Sequence, residues 1–257
     1  MNKTNAHRKC LFCELPASSR EHVIAEWLTK NMGVRDVEFH PTKSCEVKGI
    51  QTFPKTKVKY FKTKQVCEQC NNGWMAALEN WCKQHLGPLT EKDWPDNSVE
   101  IIQSLYKEAN SLVRWMVKTA IVFEMAVPRG RKVVPDHLKA TTKAGGSLDG
   151  FVLFLGYIRN PRFSTYLTKG FPAWKDDVYE ENLVHEDGFS FGVCLNHLAL
   201  RLVRCPDASP LVKPLITPQG HSVVPIWIQP KLIYDKPMCH TFPDFKLFWD
   251  SFAAQIS

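Results

Sequence analysis

No apolar stretch of this 257-residue chain approaches the roughly 18–20 residues that a membrane-spanning helix needs. The polar, basic opening at residues 1–9 is not followed by the apolar core of a secretion signal, so a cytoplasmic protein is expected. The sequence also lacks an internal repeat, a low-complexity segment, a Gly-rich phosphate loop, a nucleophile elbow and helicase or other motor motifs. Any ATP-driven step would therefore fall to a separate chain. With 44% hydrophobic and 11% aromatic residues, there is too much apolar material for a mainly disordered or fibrous chain. An acidic excess is missing as well, since the net charge is +7.

That charge is localised. Residues 1–70 hold 13 Lys and Arg against 7 Asp and Glu, whereas the rest of the chain is close to balanced. A basic surface confined to the first quarter suggests a polyanionic partner, most simply nucleic acid, with a solubilising surface as the plain alternative. Cysteine is plentiful, with nine residues. Cys45, Cys82, Cys194, Cys205 and Cys239 are scattered singly and read as small buried hydrophobes. The other four form two Cys-x-x-Cys pairs, Cys10/Cys13 and Cys67/Cys70.

Composition divides the chain in two: residues 1–92 hold both pairs and the basic excess, and residues 98–257 form an α+β unit. Gly87-Pro88 and the polar stretch 91–98 mark the boundary. Helical periodicity is strongest over 99–126, where the second half is apolar nearly all round and reads as a buried spine ended by Pro128 and Gly130. Antiparallel strands are expected over 150–158, 163–168, 189–194, 199–204 and 223–229, with a hairpin turn at 159–162 joining the first two. The aromatic run 242–252 is expected to form a helix over the sheet.

A two-residue gap lets one tight turn present two thiolates to one ion, and two such turns complete a tetrahedral four-thiolate zinc site. A redox role for the pairs would need a thioredoxin-like context, of which there is no sign. The 53 residues between Cys13 and Cys67 contain Glu21-His22, and Asn71-Asn72 follows the second pair directly. On extended chain, Glu21 and His22 point to opposite faces. A helix over 71–86 would place Asn71 at a helix start, where N–H groups and the helix dipole favour phosphate. Each feature also has a plain structural reading: Asn71 or Asn72 as a helix cap, and Glu21-His22 as a surface pair at a helix start.

Taken together, Cys10-Leu11-Phe12-Cys13, Glu21-His22-Val23-Ile24 and Cys67-Glu68-Gln69-Cys70-Asn71-Asn72-Gly73-Trp74-Met75 resemble the zinc-containing branch of the HNH endonuclease family, over about residues 10–90. The resemblance implies a zinc-braced ββα-metal domain followed by an α+β accessory domain for substrate positioning, dimerisation or regulation. It implies His22 as general base, Glu21 and Asn71 as ligands of a catalytic Mg2+ or Mn2+, and Cys10, Cys13, Cys67 and Cys70 as ligands of a structural Zn2+. The middle Asn of the family pattern is missing from 61–66, and Thr63, Gln65 or Asn72 are the alternatives. Met75 stands where some members carry a second helical His.

Lys55, Lys57 and Lys59 alternate with Thr56, Val58 and Tyr60, which suggests one strand face able to follow a phosphate backbone; the phase flip at 60–61 suggests a bend. Lys62, Lys64, Arg20 and Asn72 join them as candidate nucleic-acid contacts. The expected function is hydrolysis of DNA by a metal-dependent endonuclease, of a kind found in mobile elements, phages and bacterial defence. A non-catalytic zinc-stabilised binding module and the same chemistry on RNA are the alternatives. A homodimer and a separate regulatory or motor partner stay open.

Overall fold

The computed structural model describes residues 8–39, 42–45, 49–52, 54–127, 132–146, 148, 150–160, 164–169, 171–175, 178–183, 187–204, 225–228, 240–242 and 254–256. It is an α+β structure, as the periodicity predicts. In chain order the first half holds β1 (Ser19–His22), α1 (Glu26–Asn31), β2 (Glu38–Phe39), β3 (Thr42–Cys45), β4 (Gly49–Thr52), β5 (Thr56–Lys57) and β6 (Lys62–Val66). Strands β1 and β6 pair antiparallel, as do β2 with β5 and β3 with β4. A helical segment kinked at Gly73 follows β6: α2 (Glu68–Cys70), a π-like stretch (Asn71–Met75) and α3 (Ala76–Leu86). A 3-10 turn over Gly87–Thr90, with Pro88 in its first turn, ends it.

The single helix expected over 99–126 is two helices, α4 (Ser98–Lys107) and α5 (Ala109–Ala126). Glu108 breaks them with φ −110° and ψ 25°, outside helical values, and its carboxylate accepts a hydrogen bond from Trp81 Nε1 at 2.6 Å. An outside partner for one side chain has overridden a continuous apolar period. Pro128 and Gly130, the expected stop, lie outside the described residues.

Helix α5 is buried on every side from Trp115 to Glu124 because two bodies pack against it. On one side Phe123 meets Phe61, just before β6, with ring centroids 5.7 Å apart; on the other it meets Phe191 of the second-half sheet at 6.2 Å. The buried apolar residues of both halves form one contiguous cluster through this helix. Glu124, near the end of α5 and buried, accepts the backbone N–H groups of Val133 and Val134. Glu124→Ala would strand these two buried donors, each worth about 1–3 kcal/mol when unsatisfied, so a loss of roughly 2–6 kcal/mol is expected in urea unfolding.

Helix α6 (His137–Ala144) ends on Gly145 in the left-handed region, φ 74°, as its C-terminal residue pattern favours. Arg114 of α5 donates to the Thr142 and Lys143 carbonyls there, at 2.5 and 2.7 Å, and ties this helix end to the spine.

The second half then supplies β7 (Phe151–Ile158), β8 (Ser164–Lys169), β9 (Phe171–Lys175), β10 (Val178–Leu183), β11 (Phe189–Leu195), β12 (Leu198–Arg204), β13 (Pro225–Ile228), β14 (His240–Phe242) and β15 (Ala254–Ile256). The main sheet runs β13-β7-β12-β11-β8, and β14 pairs parallel with β7 beyond β13. The hairpin expected between the strands at 150–158 and 163–168 is therefore not formed: β7 pairs with β12, and β8 pairs with β11. The pattern of β7, Phe-Val-Leu-Phe-Leu-Gly-Tyr-Ile, is almost wholly buried and suits a central strand, whereas the alternating β8 suits an edge. A smaller sheet, β10-β9-β15, lies beside it in the chain. Phe242 closes a strand rather than opening a helix, and 243–252 lie outside the described residues. No helix among the described residues is long and apolar enough to cross a membrane.

Candidate functional site

Strand β1 faces β6 with Glu21 opposite Thr63 and His22 opposite Lys62, and the register slips between Ser19 and Glu21. An extra residue at such a slip twists the strand and re-aims its side chains. Arg20 is exposed, Glu21 is buried and His22 is half-buried. The pleat thus separates the carboxylate from the imidazole, as adjacent positions on extended chain require.

The helix after β6 starts earlier than the spacing predicts. Cys67 is its N-cap, its sulfur accepting the Cys70 N–H at 3.4 Å, and Glu68 is the first helical residue. Asn71 is therefore not a cap and not at the helix start, but one turn inside, at the head of the π-helical stretch. Gly73, with φ −93° and ψ −113°, absorbs the kink there. Such single-turn π segments re-aim side chains within a helix. Here the Asn71 amide turns towards β1 and donates from Nδ2 to Ser19 Oγ at 2.6 Å. Its carbonyl oxygen has no partner among the described residues.

Glu21, His22, Asn71, Asn72, Met75 and Glu79 line one cleft of about 250 Å³. The ribbon and the helix thus bring Glu21 and His22 together with Asn71, about fifty positions further along the chain. Thr63 is buried on the Glu21 side of the ribbon, and Gln65 is committed to the Met125 carbonyl at 3.4 Å. Neither stands in for the missing middle Asn as a hydrogen-bond partner of His22. Burial first, then the charge of Lys62, lowers the His22 pKa below its ordinary 6.5, so the imidazole is neutral at pH 7. Since the folded value lies below the unfolded one, protonation of His22 costs stability as pH falls through that range. Removing one cause should move the group: in Lys62→Ala the His22 titration followed by NMR is expected to shift upward towards 6.5.

Two residues at this site carried no sequence motif. Lys118, from the middle of α5 and 1% exposed, places Nζ 3.1 Å from Glu21 Oε1 and 2.5 Å from Glu79 Oε1. Glu79 also accepts Trp115 Nε1 on Oε1 at 2.9 Å and Trp27 Nε1 on Oε2 at 3.0 Å. Burial favours the neutral amine of Lys118, but the two carboxylates outweigh it and keep the ammonium charged. Burial, aided by Glu79 and opposed by Lys118, raises the Glu21 carboxyl above its ordinary value. The available signal was a lysine within an all-round apolar helix, because a buried ammonium needs carboxylate partners.

The four paired cysteines converge beside this cleft. Their sulfurs lie within 4.8 Å of one another, with Cys13 and Cys67 3.5 Å apart and Cys70 and Cys13 3.7 Å apart. Four thiolates at about 2.3 Å from one tetrahedral ion stand about 3.8 Å apart, so the cluster fits a metal ion of that kind. Burial opposes ionisation of Cys67, yet the Cys70 N–H and the neighbouring thiols bring it down to about 7, while burial pushes Cys70 up to about 12. A bound dication would favour the thiolate form at every position. Phe12 of the first turn packs edge-on against Trp74 of the helix at 5.1 Å, closing the cluster on one side.

The lysine row departs from expectation. Residues 55–59 do not form one strand: β5 is two residues long and a 3-10 turn spans Val58–Tyr60, the bend that the phase flip predicts. Lys55 pairs with Glu38 at 2.6 Å, and Lys57 and Lys59 pair with Asp36 at 3.7 and 2.6 Å. Asp36 comes from the α1–β2 connection and Glu38 from β2, and the local charge pattern brought neither into register. Lys62 and Lys64 are exposed on one face of β6, the same ribbon that carries the exposed Arg20. Comparison with family models, with curated proteins and with solved structures returns no match.

Proposed function

We propose that this chain is a metal-dependent phosphodiesterase of the HNH type, an endonuclease acting on DNA, with its ββα-metal unit formed by β1, β6 and the helix from Glu68. The observation that carries this reading is the convergence of Glu21, His22 and Asn71 on one cleft beside the four-cysteine cluster. The donor set suits the two ions the reading requires. Cys10, Cys13, Cys67 and Cys70 would hold a structural zinc, and their spacing fits a tetrahedral thiolate site. Glu21 and Asn71 would hold Mg2+ or Mn2+ through oxygen, which hard cations prefer, and the Ser19 hydroxyl occupies the amide nitrogen of Asn71 rather than its oxygen. The divalent ion, when bound, would supply Lewis-acid stabilisation of charge on the scissile phosphate.

His22 is neutral at pH 7 and would take the proton of the attacking water. Arg20, Lys62 and Lys64 on the ribbon would contact the phosphate backbone, with Asn72 at the cleft rim. Lys55, Lys57 and Lys59 share their charge with Asp36 and Glu38, so they would contribute less to binding than their number suggests.

A second reading, a zinc-stabilised module that binds nucleic acid without cutting it, is favoured by the ion pair on Glu21 and by the absence, among the described residues, of a hydrogen-bond partner for the His22 imidazole. Incubation of supercoiled plasmid with Mg2+, Mn2+ or EDTA tests the two. Metal-dependent nicking or linearisation that His22→Ala abolishes supports the nuclease. Salt-sensitive binding without cleavage, by folded protein and under every metal, supports the module. The same assay on RNA separates the two polymers.

A further inference from the structure

Lys118, buried behind the cleft, reaches two carboxylates that line it, Glu21 and Glu79, from a helix outside the HNH-like segment. We propose that Lys118 is a positioning residue for the Glu21 metal ligand: by engaging one carboxylate oxygen it leaves Glu21 a single-oxygen ligand and sets the site to select a small divalent cation over Ca2+. The inference rests on the proposed function, since it concerns the ion that Glu21 and Asn71 would hold.

Three observations carry it. First, Lys118 is a fully buried ammonium, and a buried ion pair replaced by apolar residues of similar size is often neutral or stabilising. Stability alone therefore gives little reason for a lysine here. Second, the arrangement has a direction. Glu79 is fixed by both tryptophan N–H groups and by Lys118 at 2.5 Å, whereas Glu21 receives Lys118 alone, at the longer 3.1 Å. Glu79 is thus the anchor, Lys118 the arm, and Glu21 the group held in place. Third, Lys118 meets Glu21 through Oε1, and Oε2 accepts no hydrogen bond among the described residues, so Oε2 is the oxygen more open to a ligand in the cleft that Asn71 shares.

The consequence is one of coordination and charge. Ca2+ takes six to eight oxygens and favours bidentate carboxylates, whereas Mg2+ is bound through one or two carboxylates and keeps several waters. A Glu21 with one oxygen occupied suits the second pattern. The Glu21–Lys118–Glu79 set also carries one net negative charge, against two for the carboxylates alone, which keeps divalent affinity modest.

Binding of Mn2+ to the zinc-loaded full-length protein, followed by electron paramagnetic resonance and competed with Mg2+ and Ca2+, tests this without any activity readout. Glu79→Gln leaves the ammonium to Glu21 alone and is expected to weaken Mn2+ about tenfold or more. Lys118→Met frees both Glu21 oxygens and is expected to tighten Mn2+ by a similar factor and to let Ca2+ compete. Because that variant strands two buried carboxylates, Lys118→Met combined with Glu79→Gln serves as the second variant; it restores one negative charge and should still gain Ca2+ competition. Unchanged Mn2+ affinity in Glu79→Gln, or no gain of Ca2+ competition in the double variant, overturns the inference when Glu21→Gln abolishes binding. If the unaltered protein binds no Mn2+, or Glu21→Gln binds as well as it does, the proposed nuclease site itself falls, and the inference with it.

Discussion

Cys67→Ser is expected to abolish binding of the proposed structural zinc and to unfold the ribbon and the first turns of the following helix. Cys67 has two local duties: its sulfur is one of the four converging thiols, and it caps the helix that carries Asn71. Structural zinc in small thiolate sites contributes apparent free energies of roughly 10 kcal/mol or more. A typical domain has only about 5–15 kcal/mol in total, so little stability would be left for this unit without the ion. What remains near the cysteines is the Leu11 N–H to Gln65 carbonyl bond at 2.8 Å, the Phe12–Trp74 contact and the ribbon, together with the packing of Val23, Val66 and Met75 in the core shared with α5. Hydrogen exchange should therefore show residues 19–22 and 62–75 losing protection, with β7, β11 and β12 keeping theirs. Elemental analysis of the purified protein should find one zinc per chain, and the same exchange pattern should follow chelation. A chain that carries no metal, or that melts unchanged after chelation, would refute the zinc assignment.

The second large effect is on rate. On the proposed nuclease reading, a base positioned in the transition state contributes about 10²–10⁴-fold, and His22→Ala is expected to slow the proposed metal-dependent cleavage by that factor. Stability should change little by comparison, because His22 is half-buried and its surroundings act on it through burial and charge rather than through hydrogen bonds. Thermal unfolding and zinc content near those of the unaltered protein would therefore accompany the loss. Added imidazole should recover part of the rate, since the vacated space opens onto the cleft. Undiminished cleavage by a clean preparation of His22→Ala would remove His22 from the chemistry. Because the His22 pKa lies below 6.5, the proposed activity should hold its rate to lower pH than an ordinary histidine base would allow.

The parts that follow from neighbours in the chain were legible beforehand. Two-residue cysteine gaps dictate tight turns whatever else the chain does, and the four sulfurs converge as that spacing requires. The strands near 151–158, 189–195 and 198–204 follow from apolar content and β-branched composition, and lie within a residue or two of expectation. The bend near 60 was visible as a change of phase between lysines and apolar residues.

Long-range pairing was not legible. The partner of β7 is β12 rather than β8, because a strand buried on both faces takes the centre of the sheet whatever its order in the chain. The interruption of the long helix at Glu108 answers to Trp81, 27 positions earlier. Lys55, Lys57 and Lys59 read as a free basic face until the chain brings Asp36 and Glu38 alongside.

By itself, then, the sequence pointed to the α+β class, the two cysteine pairs, and Glu21, His22 and Asn71 among the residues that line the cleft, since residue chemistry and short spacing are covalent properties. Only the tertiary structure decided that Asn71 stands one turn inside its helix and that Glu21 is held by Lys118, 97 positions away. The physical reason is desolvation. A charge buried among apolar neighbours must meet an opposite charge, and which one it meets depends on how helices and strands pack.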